Sequence, residues 1–553
     1  MAEIGARRPF PLRRAASRYP APVNAPAAEK RLERTGGAAL LVGAGILLSR
    51  LAGLVRQRVL GHYLGTSLAA DAYTAALRIP NFLQNLLGEG VLSASFIPVY
   101  ASLRARGEEP QARSVAGAVA GLLTVVTGVF ALLGVAATPW LLDLIAPGFS
   151  GPTRALAIVL VRIFFPGISL LVLSAFCIGV LNSHGRFFLS YAAPVVWSAA
   201  IIAALIAGAR ASGGDQARIA VWAAWGAVAG GALQLGVQLP SVLRLLGAGA
   251  RLSLGRGDAH VREVVQNFVP VVAGRGVVQL SAYVDTLIAS WLPSGTVAAF
   301  GYAQTIYTLP VSLFGMAVSA ASLPTMSADA AAREKLHEQT ESGLRAIAFP
   351  VVPTVAAFLA LGDVICAALF QTGRFRAGDV RYVWLILIGS TVGLLAATMA
   401  RLYSSAFYAL RDTRTPLKYA ILRVILTAGL GVFCGLYLPG LAGLPERYGA
   451  AGLTASAGVA GWIEFALLRR GIAGRIGECH LPKGLLPRLW GAAALATAVS
   501  FGAKLVRPPV HPVLRAVVVL GLFGATYLGA TLLFGVTEAH RAVDRARRLL
   551  RRG

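Results

Sequence analysis

The chain has 553 residues, of which 56% are hydrophobic and only 14% are charged. Soluble domains carry roughly a quarter of their residues as charged side chains, so this composition excludes an ordinary soluble protein and indicates a polytopic membrane protein. The formal net charge of +27 would suggest nucleic-acid binding in a soluble chain, but the basic residues lie mainly in short loops and terminal segments, as the positive-inside rule requires, and nucleic acid is not an expected partner.

Fourteen apolar segments follow one another along the chain, and each is long enough to cross the ~30 Å hydrocarbon core, which takes about 20 residues of helix. They lie approximately at 37–61, 69–102, 115–146, 154–181, 190–209, 217–243, 264–292, 296–325, 343–370, 381–410, 416–439, 448–469, 486–506 and 512–536. Two basic segments flank them, 1–36 and 539–553. We predict that both are cytoplasmic tails, the first of them disordered, of a multi-pass protein in the cytoplasmic (inner) membrane.

The second and eighth segments resemble each other, which indicates an internal repeat. Both stretches begin with Gly-Thr, and a proline recurs at Pro80 and Pro310. A second pair of similar stretches has the same offset of about 230 residues; the pairs are 65–100 with 295–327 and 181–193 with 410–421. We therefore predict an all-α polytopic fold in which two six-helix parallel repeats surround a central cavity. The predicted units are the N-lobe 37–250 (helices 1–6), the C-lobe 260–470 (helices 7–12) and the extra helices 13 and 14 at 484–538.

Several charged residues lie inside the predicted spans, where a charge costs at least a few kcal/mol unless it faces water or a partner. The deepest are Arg50, Glu89, Arg275 and Asp285. Three arginines are expected nearer the membrane interfaces, Arg162, Arg401 and Arg423. Arg78 lies near a helix end, where it either reaches the interface along its aliphatic stem or faces the protein interior.

The buried charges have two interpretations. They form a structural cluster in which acids neutralise arginines, or they line a water-filled cavity between helices 1, 2 and 7 that attracts an anionic substrate. Guanidinium groups bind phosphate oxygens bidentately, so the second interpretation favours a lipid-linked phosphate. The sequence contains no phosphate-binding G-x-x-x-x-G-K-[ST] motif and no metal-ligand spacing, so an intrinsic ATPase, a metal site and a bound cofactor are not expected.

Seven stretches resemble a known family. They are SRLAGLVRQRVLG (49–61), DAYTAALRIPN and GEGVLSASFIPV within 71–99, APGF (146–149), LNSHGRF (181–187), FQTGRF (370–375) and FYALRDTRTPLK (407–418). They look like the MurJ (MviN) family of lipid II flippases, in the multidrug/oligosaccharidyl-lipid/polysaccharide (MOP) exporter superfamily. The resemblance runs from about residue 37 to 470. It implies a monomeric transporter and not an enzyme. The implied substrate is undecaprenyl-pyrophosphate-linked disaccharide pentapeptide (lipid II), which would be moved to the outer leaflet by alternating access for peptidoglycan biosynthesis.

The resemblance also implies site residues. The family's helix 1 residues match Ser49, Arg50 and Arg56, and its helix 2 residues match Asp71, Asn81 and Glu89. The implied partners are lipid II, membrane lipids and the cell-wall synthesis machinery.

Two family arginines are replaced in this chain, by Gln84 on helix 2 and Thr305 on helix 8. Arg275 on helix 7 is a candidate to restore part of that charge. Asp285 is either a proton or cation site that couples transport to an ion gradient, or a charge partner of Arg275, from which ten residues of helix separate it by ~15 Å. The membrane potential is the other energy source.

The lost arginines keep other functions open. The chain could instead export another polyprenyl-linked oligosaccharide, or serve as a transport-silent scaffold for envelope synthesis. A drug/cation antiporter of the same superfamily is a further alternative, although an antiporter should favour a negative cavity.

Overall fold

The computed structural model describes residues 45–247, 251–255, 257–505 and 511–550, except residue 46; the side chains at 89, 273–282, 546, 549 and 550 are outside this set. The predicted tail 1–36 also lies outside the described residues. All regular structure in the described ranges is helical. The helices are α1 (47–64), α2 (Leu68–Leu87), α3 (Glu89–Ala105), α4 (Glu109–Ala136), α5 (Thr138–Ile145), α6 (Gly151–Ser183), α7 (Phe187–Ala211), α8 (Gln216–Leu246), α9 (Ala259–Ser290), α10 (Thr296–Pro310), α11 (Ala317–Ala328), α12 (Arg333–Phe370), α13 (Ala377–Thr391), α14 (Leu394–Ala409), α15 (Arg414–Val432), α16 (Leu438–Leu441), α17 (Gly449–Ile476), α18 (Leu485–Leu505), α19 (Pro512–Leu533) and α20 (Thr537–Leu550).

Most of these helices are long and apolar enough to cross a membrane. Eleven helical segments in the described ranges satisfy that condition by length and composition, where α2 with α3, α10 with α11 and α15 with α16 each count as one segment. The number is twelve when α13 and α14, which meet at 44°, are taken as one bent span. The remaining two predicted spans coincide with α1 and α9. The prediction of an all-α polytopic fold is therefore confirmed.

The two repeated spans are irregular at corresponding places. The helix of span 2 continues through Pro80 and breaks at Gly88, where α2 gives way to α3. A Cβ atom on Gly88 would lie 2.3 Å from the carbonyl oxygen of Gln84, so only glycine allows this bend. In span 8, Pro310 is followed by a π-helical turn, Val311–Met316, before α11 continues the span. Proline removes an intrahelical hydrogen bond, and π turns are a common adjustment.

The helices pack in two groups. In one, α6 lies against α2, α4 and α8, and α7 packs along α8. In the other, α17 lies against α13, α14 and α15, and α12 lies against α13 and α14. Helix α9 contacts α3 and α4 of the first group as well as α15 and α17 of the second. The predicted lobe boundaries, 37–250 and 260–470, remain a prediction.

The two C-terminal spans are attached to the rest of the bundle through α12. The ammonium group of Lys504 on α18 lies 2.8 Å from the carboxylate of Asp363 and donates to the carbonyl oxygen of Ala360. The hydroxyl of Tyr527 on α19 donates to the carbonyl oxygen of Phe349 at 2.7 Å. Because polar groups within a bilayer need partners inside the protein, these contacts fix the side of the bundle on which α18 and α19 lie.

Candidate functional site

An arginine-lined cavity of about 620 Å³ lies between α1, α2, α7 and α10, and we call it the arginine cavity. Helix α1 supplies Ser49, Arg50 and Arg56, of which Ser49 and Arg56 are two turns apart on one helical face. Helix α2 adds Arg78, and α10 adds Thr305. No acidic side chain is among the described residues that line it. Three cations facing one space without a lining acid create a positive field that suits an anion.

Aromatic rings hold two of these guanidinium groups in the cavity wall. The guanidinium carbon of Arg56 lies 4.4 Å from the ring centroid of Trp197, and that of Arg78 lies 5.6 Å from the ring centroid of Phe300. Both distances fit cation–π contacts, which stabilise a cation in poorly hydrated surroundings. Arg50 is exposed at the cavity, whereas Arg56 and Arg78 are only partly exposed. The side chains of Arg56 and Arg78 are therefore held more firmly than that of Arg50.

A second cavity of about 530 Å³, the amide cavity, adjoins the first. Ile178, Pro194 and Trp197 line both cavities. The polar side chains of the amide cavity are uncharged in the described residues, Gln84, Asn85, Ser93 and Gln234. The two cavities therefore offer different chemistry to one bound molecule.

A third cavity of about 380 Å³ lies among the later helices and contains charges of both signs. Its lining includes Asp285, Arg401 and Arg423, and it shares Gln304 with the arginine cavity. A nitrogen of the Arg423 guanidinium group lies 3.3 Å from the carboxylate of Glu464. Both arginine side chains face this internal space, and the expectation that they lie near the membrane interfaces stays a prediction.

One end of the bundle is closed by contacts between spans 1–6 and spans 8–14. Arg58 donates to the carbonyl oxygen of Leu369 at 2.8 Å. The hydroxyl of Tyr302 donates to the carbonyl oxygen of Gly65 at 3.1 Å. The hydroxyl of Thr66 donates to the carboxylate of Asp379. These contacts lie together with further hydrogen bonds between the same two sets of spans at one end of the bundle, which we call the closed end. Residues 49 and 50 lie at the opposite end of α1.

Comparison with known proteins identifies the family. A family model described as "Lipid II flippase MurJ" matches residues 60–506. This chain belongs to the MurJ family. The lipid II flippase MurJ of Burkholderia cenocepacia is 30% identical over 530 residues, which cover 91% of this chain and 98% of that protein.

Solved structures show the same fold for MurJ and its superfamily. A structure of "Lipid II flippase MurJ, inward closed conformation" matches with a TM-score of 0.74 and 21% identity, covering 90% of this chain and 98% of that one. An inward-facing multidrug transporter of the MOP superfamily matches with a TM-score of 0.63 and 19% identity, covering 79% and 98%. The chain therefore has the fold of both structures, and the family model describes its family as lipid II flippases.

Of the site residues that the MurJ resemblance implies, Asp71 is not in the arginine cavity. Its buried carboxylate accepts hydrogen bonds from the backbone N–H groups of Gly295 at 2.5 Å and Ala298 at 2.8 Å. Free N–H groups at a helix N-terminus attract an acceptor, so Asp71 caps α10. In this conformation Asp71 therefore belongs to the closed end and not to the arginine cavity, and a part in substrate binding stays a prediction.

The other predicted residues have varied positions. Asn81 borders a narrow gap between α2, α6 and α8, whereas Gln84 borders both that gap and the amide cavity. Glu89 begins α3 and Arg275 lies within α9, but their side chains are outside the described set, so the idea that Arg275 restores charge remains a prediction. Asp285 interacts electrostatically with Arg78 and Arg423.

Sequence reasoning left Arg78, Trp197 and Gln234 out of the site. Arg78 carried a signal, because an arginine seven residues after Asp71 is two helical turns along the same helix. Trp197 and Gln234 lie in apolar or small-residue segments, α7 and α8, whose pattern does not indicate which face is internal.

Proposed function

We propose that this chain is a lipid II flippase that moves the undecaprenyl-pyrophosphate-linked peptidoglycan precursor from the inner to the outer leaflet of the cytoplasmic membrane. The observation that supports this most directly is the arginine cavity, in which Arg50, Arg56 and Arg78 face one space whose described lining contains no acid. A pyrophosphate group carries several oxygen acceptors, and arginine binds such oxygens in a bidentate manner.

The three arginines have different parts in this proposal. Arg50, which is exposed, meets the headgroup first and draws it in by long-range attraction. Arg56 and Arg78, fixed against Trp197 and Phe300, then hold the pyrophosphate within the bundle. A preorganised cation needs little rearrangement on binding, so the deeper pair contributes most of the affinity.

The proposed orientation places both termini in the cytoplasm. It is supported by the excess of lysine and arginine in the loops on that side. In this orientation residues 49 and 50 lie toward the cytoplasm, and the closed end lies toward the outside. The described conformation would then accept substrate from the inner leaflet, and transport would require the closed end to open.

The energy source is part of the proposal. Asp285 lines the third cavity with Arg423, and it interacts electrostatically with both Arg423 and Arg78 of the arginine cavity. Two neighbouring cations disfavour a bound metal cation, so we propose that Asp285 couples transport to an ion gradient through a change in its own charge, which would alter the field on Arg78. The membrane potential acts in addition.

Depletion and complementation test the function. Cells depleted of their own MurJ are expected to grow when they express this chain, and not when they express Arg56→Ala. The matched control is Arg218→Ala, because Arg218 is exposed on α8 and lines none of the three cavities described above. Membrane insertion and protein amount are measured by immunoblotting of the membrane fraction.

A negative result has a defined meaning. Failure of the unaltered chain to sustain growth, despite normal insertion, would overturn the lipid II assignment. If the chain then still moves a labelled lipid-linked glycan, it exports another polyprenyl-linked oligosaccharide. If it moves none, it is a transport-silent scaffold.

A further inference from the structure

The amide cavity presents uncharged hydrogen-bonding groups beside a strongly cationic site. Gln84 and Asn85 extend from α2, Ser93 from α3 and Gln234 from α8. No charged side chain is among its described lining residues. A phosphate or carboxylate would gain no ionic partner there, whereas hydroxyl and amide groups match carboxamide donors and acceptors.

A buried hydrogen-bond chain orients the key carboxamide. The amide nitrogen of Gln234 donates to the hydroxyl oxygen of Ser174 at 2.8 Å, and that hydroxyl donates to the carbonyl oxygen of the Gln238 side chain at 2.7 Å. Only 6% of Gln234 is exposed. Because its nitrogen is committed to Ser174, its oxygen remains to accept a hydrogen bond from a molecule in the cavity.

This row of hydrogen-bonded side chains also contains a donor without a partner among the described residues, in Gln238. The side-chain nitrogen of Gln238 is buried and has no hydrogen-bond partner among the described residues. Leaving a buried donor unpaired is unfavourable, so such groups in native proteins usually mark a place for water or a ligand. Gln238 lies one helical turn beyond Gln234 on α8, and both carboxamides bond to the hydroxyl of Ser174.

The two cavities are joined by a fixed aromatic wall. Trp197 lines both, and its indole N–H donates to the carbonyl oxygen of Ala227 at 3.0 Å, while Arg56 covers its ring. A ligand group in the arginine cavity is therefore next to any group held in the amide cavity. Gln84 adds no charge to this second space, although the family resemblance leads one to expect arginine there.

We propose that the amide cavity is a sugar subsite, which binds the uncharged, hydroxyl- and acetamide-bearing part of the headgroup next to the pyrophosphate. The inference rests on the proposed function, which places the pyrophosphate in the arginine cavity. In this subsite the Gln234 carboxamide oxygen accepts from the ligand, and Gln84 and Asn85 complete the hydrogen bonding. Sites built to bind an OH or NH group discriminate strongly against ligands that lack it.

Binding to two lipids tests the subsite. The full-length protein in nanodiscs is titrated with lipid II and with undecaprenyl pyrophosphate, which carries the same lipid and pyrophosphate but no sugar. The substitution Gln234→Leu keeps the approximate size of the side chain and removes its acceptor. We expect it to weaken lipid II binding roughly ten- to a hundredfold, since an unpaired polar group is costly in a buried site, and to leave undecaprenyl pyrophosphate binding within about twofold.

Three controls make the outcomes distinct. Gln111→Leu makes the same chemical change at an exposed position on α4 and should alter neither affinity. Unchanged undecaprenyl pyrophosphate binding by Gln234→Leu shows that the variant is folded. Ser174→Ala frees the amide nitrogen of Gln234 from its partner and should weaken lipid II binding less than Gln234→Leu does.

The result that overturns the subsite is a Gln234→Leu protein that binds lipid II normally or loses affinity for both lipids equally, while the unaltered chain binds both. If the unaltered chain binds neither lipid, the proposed function itself fails, and the sugar subsite fails with it.

Discussion

Removing the carboxylate of Asp71 should open the closed end. This carboxylate accepts two backbone N–H groups of α10, from Gly295 and Ala298, across a sequence separation of more than 200 residues. It is the only described side chain that caps the N-terminus of α10. The substitution Asp71→Ala removes both acceptors and leaves those N–H groups buried in the closed arrangement.

The size of the effect follows from the two N–H groups left without an acceptor. A buried donor left unpaired costs about 1–3 kcal/mol, so losing both hydrogen bonds disfavours the closed end by about 2–6 kcal/mol. Each 1.4 kcal/mol is a tenfold change in an equilibrium, so the ratio of closed to open molecules should fall by at least roughly tenfold. Asp71→Asn keeps one acceptor oxygen and should have an intermediate effect.

Spin-label distances measure this equilibrium directly. Labels are placed on cysteines introduced at 211 and 377, which are exposed positions at the closed end on opposite sets of spans, after Cys434 is replaced by serine. The unaltered protein should show one short distance population, and Asp71→Ala should add a longer one. If the distribution in Asp71→Ala stays the same as in the unaltered protein, the assignment of Asp71 to the closed end is refuted.

Two further predictions concern other parts of the structure. Gly295→Ala should open the same end, because Gly295 has φ +93° and an added Cβ would lie 2.3 Å from the carbonyl oxygen of Thr66. The same pair of spin labels measures this opening, and an unchanged distance between them would contradict the steric argument. In the loop before α15, hydrogen bonds from Thr415, with a smaller contribution from Arg475, lower the pKa of Asp412 to about 2. Because the pKa of Asp412 is lower in the folded protein than its ordinary value of 3.8, the ionised carboxylate stabilises the fold at pH values above 3.8. That stabilisation is lost as the pH falls toward 2. The thermal unfolding temperature should therefore fall more steeply between pH 5 and pH 2 for the unaltered protein than for Asp412→Asn. Equal slopes of unfolding temperature against pH would contradict this.

The sequence was informative where local spacing determines geometry. Apolar length alone predicted the spans, because the thickness of the bilayer fixes the length of a helix that crosses it. Ser49 and Arg56 line the same cavity because residues seven apart lie two turns apart on one helical face, and Arg50, next to Ser49 in the chain, reaches the cavity from beside that face.

The sequence was uninformative where distant partners decide a side chain's role. Asp71 was expected in a cavity, but its partners, the N–H groups of α10, lie more than 200 residues away, and nothing near Asp71 in the sequence indicates them. The positions of Arg401 and Arg423 in their segments do not indicate that the two share a cavity, which the packing of α9, α14, α15 and α17 creates. Gln234 depends on Ser174 of another helix, a contact that only tertiary packing defines.

The most direct test of the account is the movement of lipid II itself. In cells depleted of their own MurJ, the measurement is the fraction of lipid II whose headgroup an externally added lipid II hydrolase can release. The account predicts that the unaltered chain and Arg218→Ala restore that fraction and that Arg56→Ala does not. If the external fraction stays at the depleted level with the unaltered chain correctly inserted, or if Arg56→Ala restores it fully, the arginine cavity is not the site at which this protein carries lipid II.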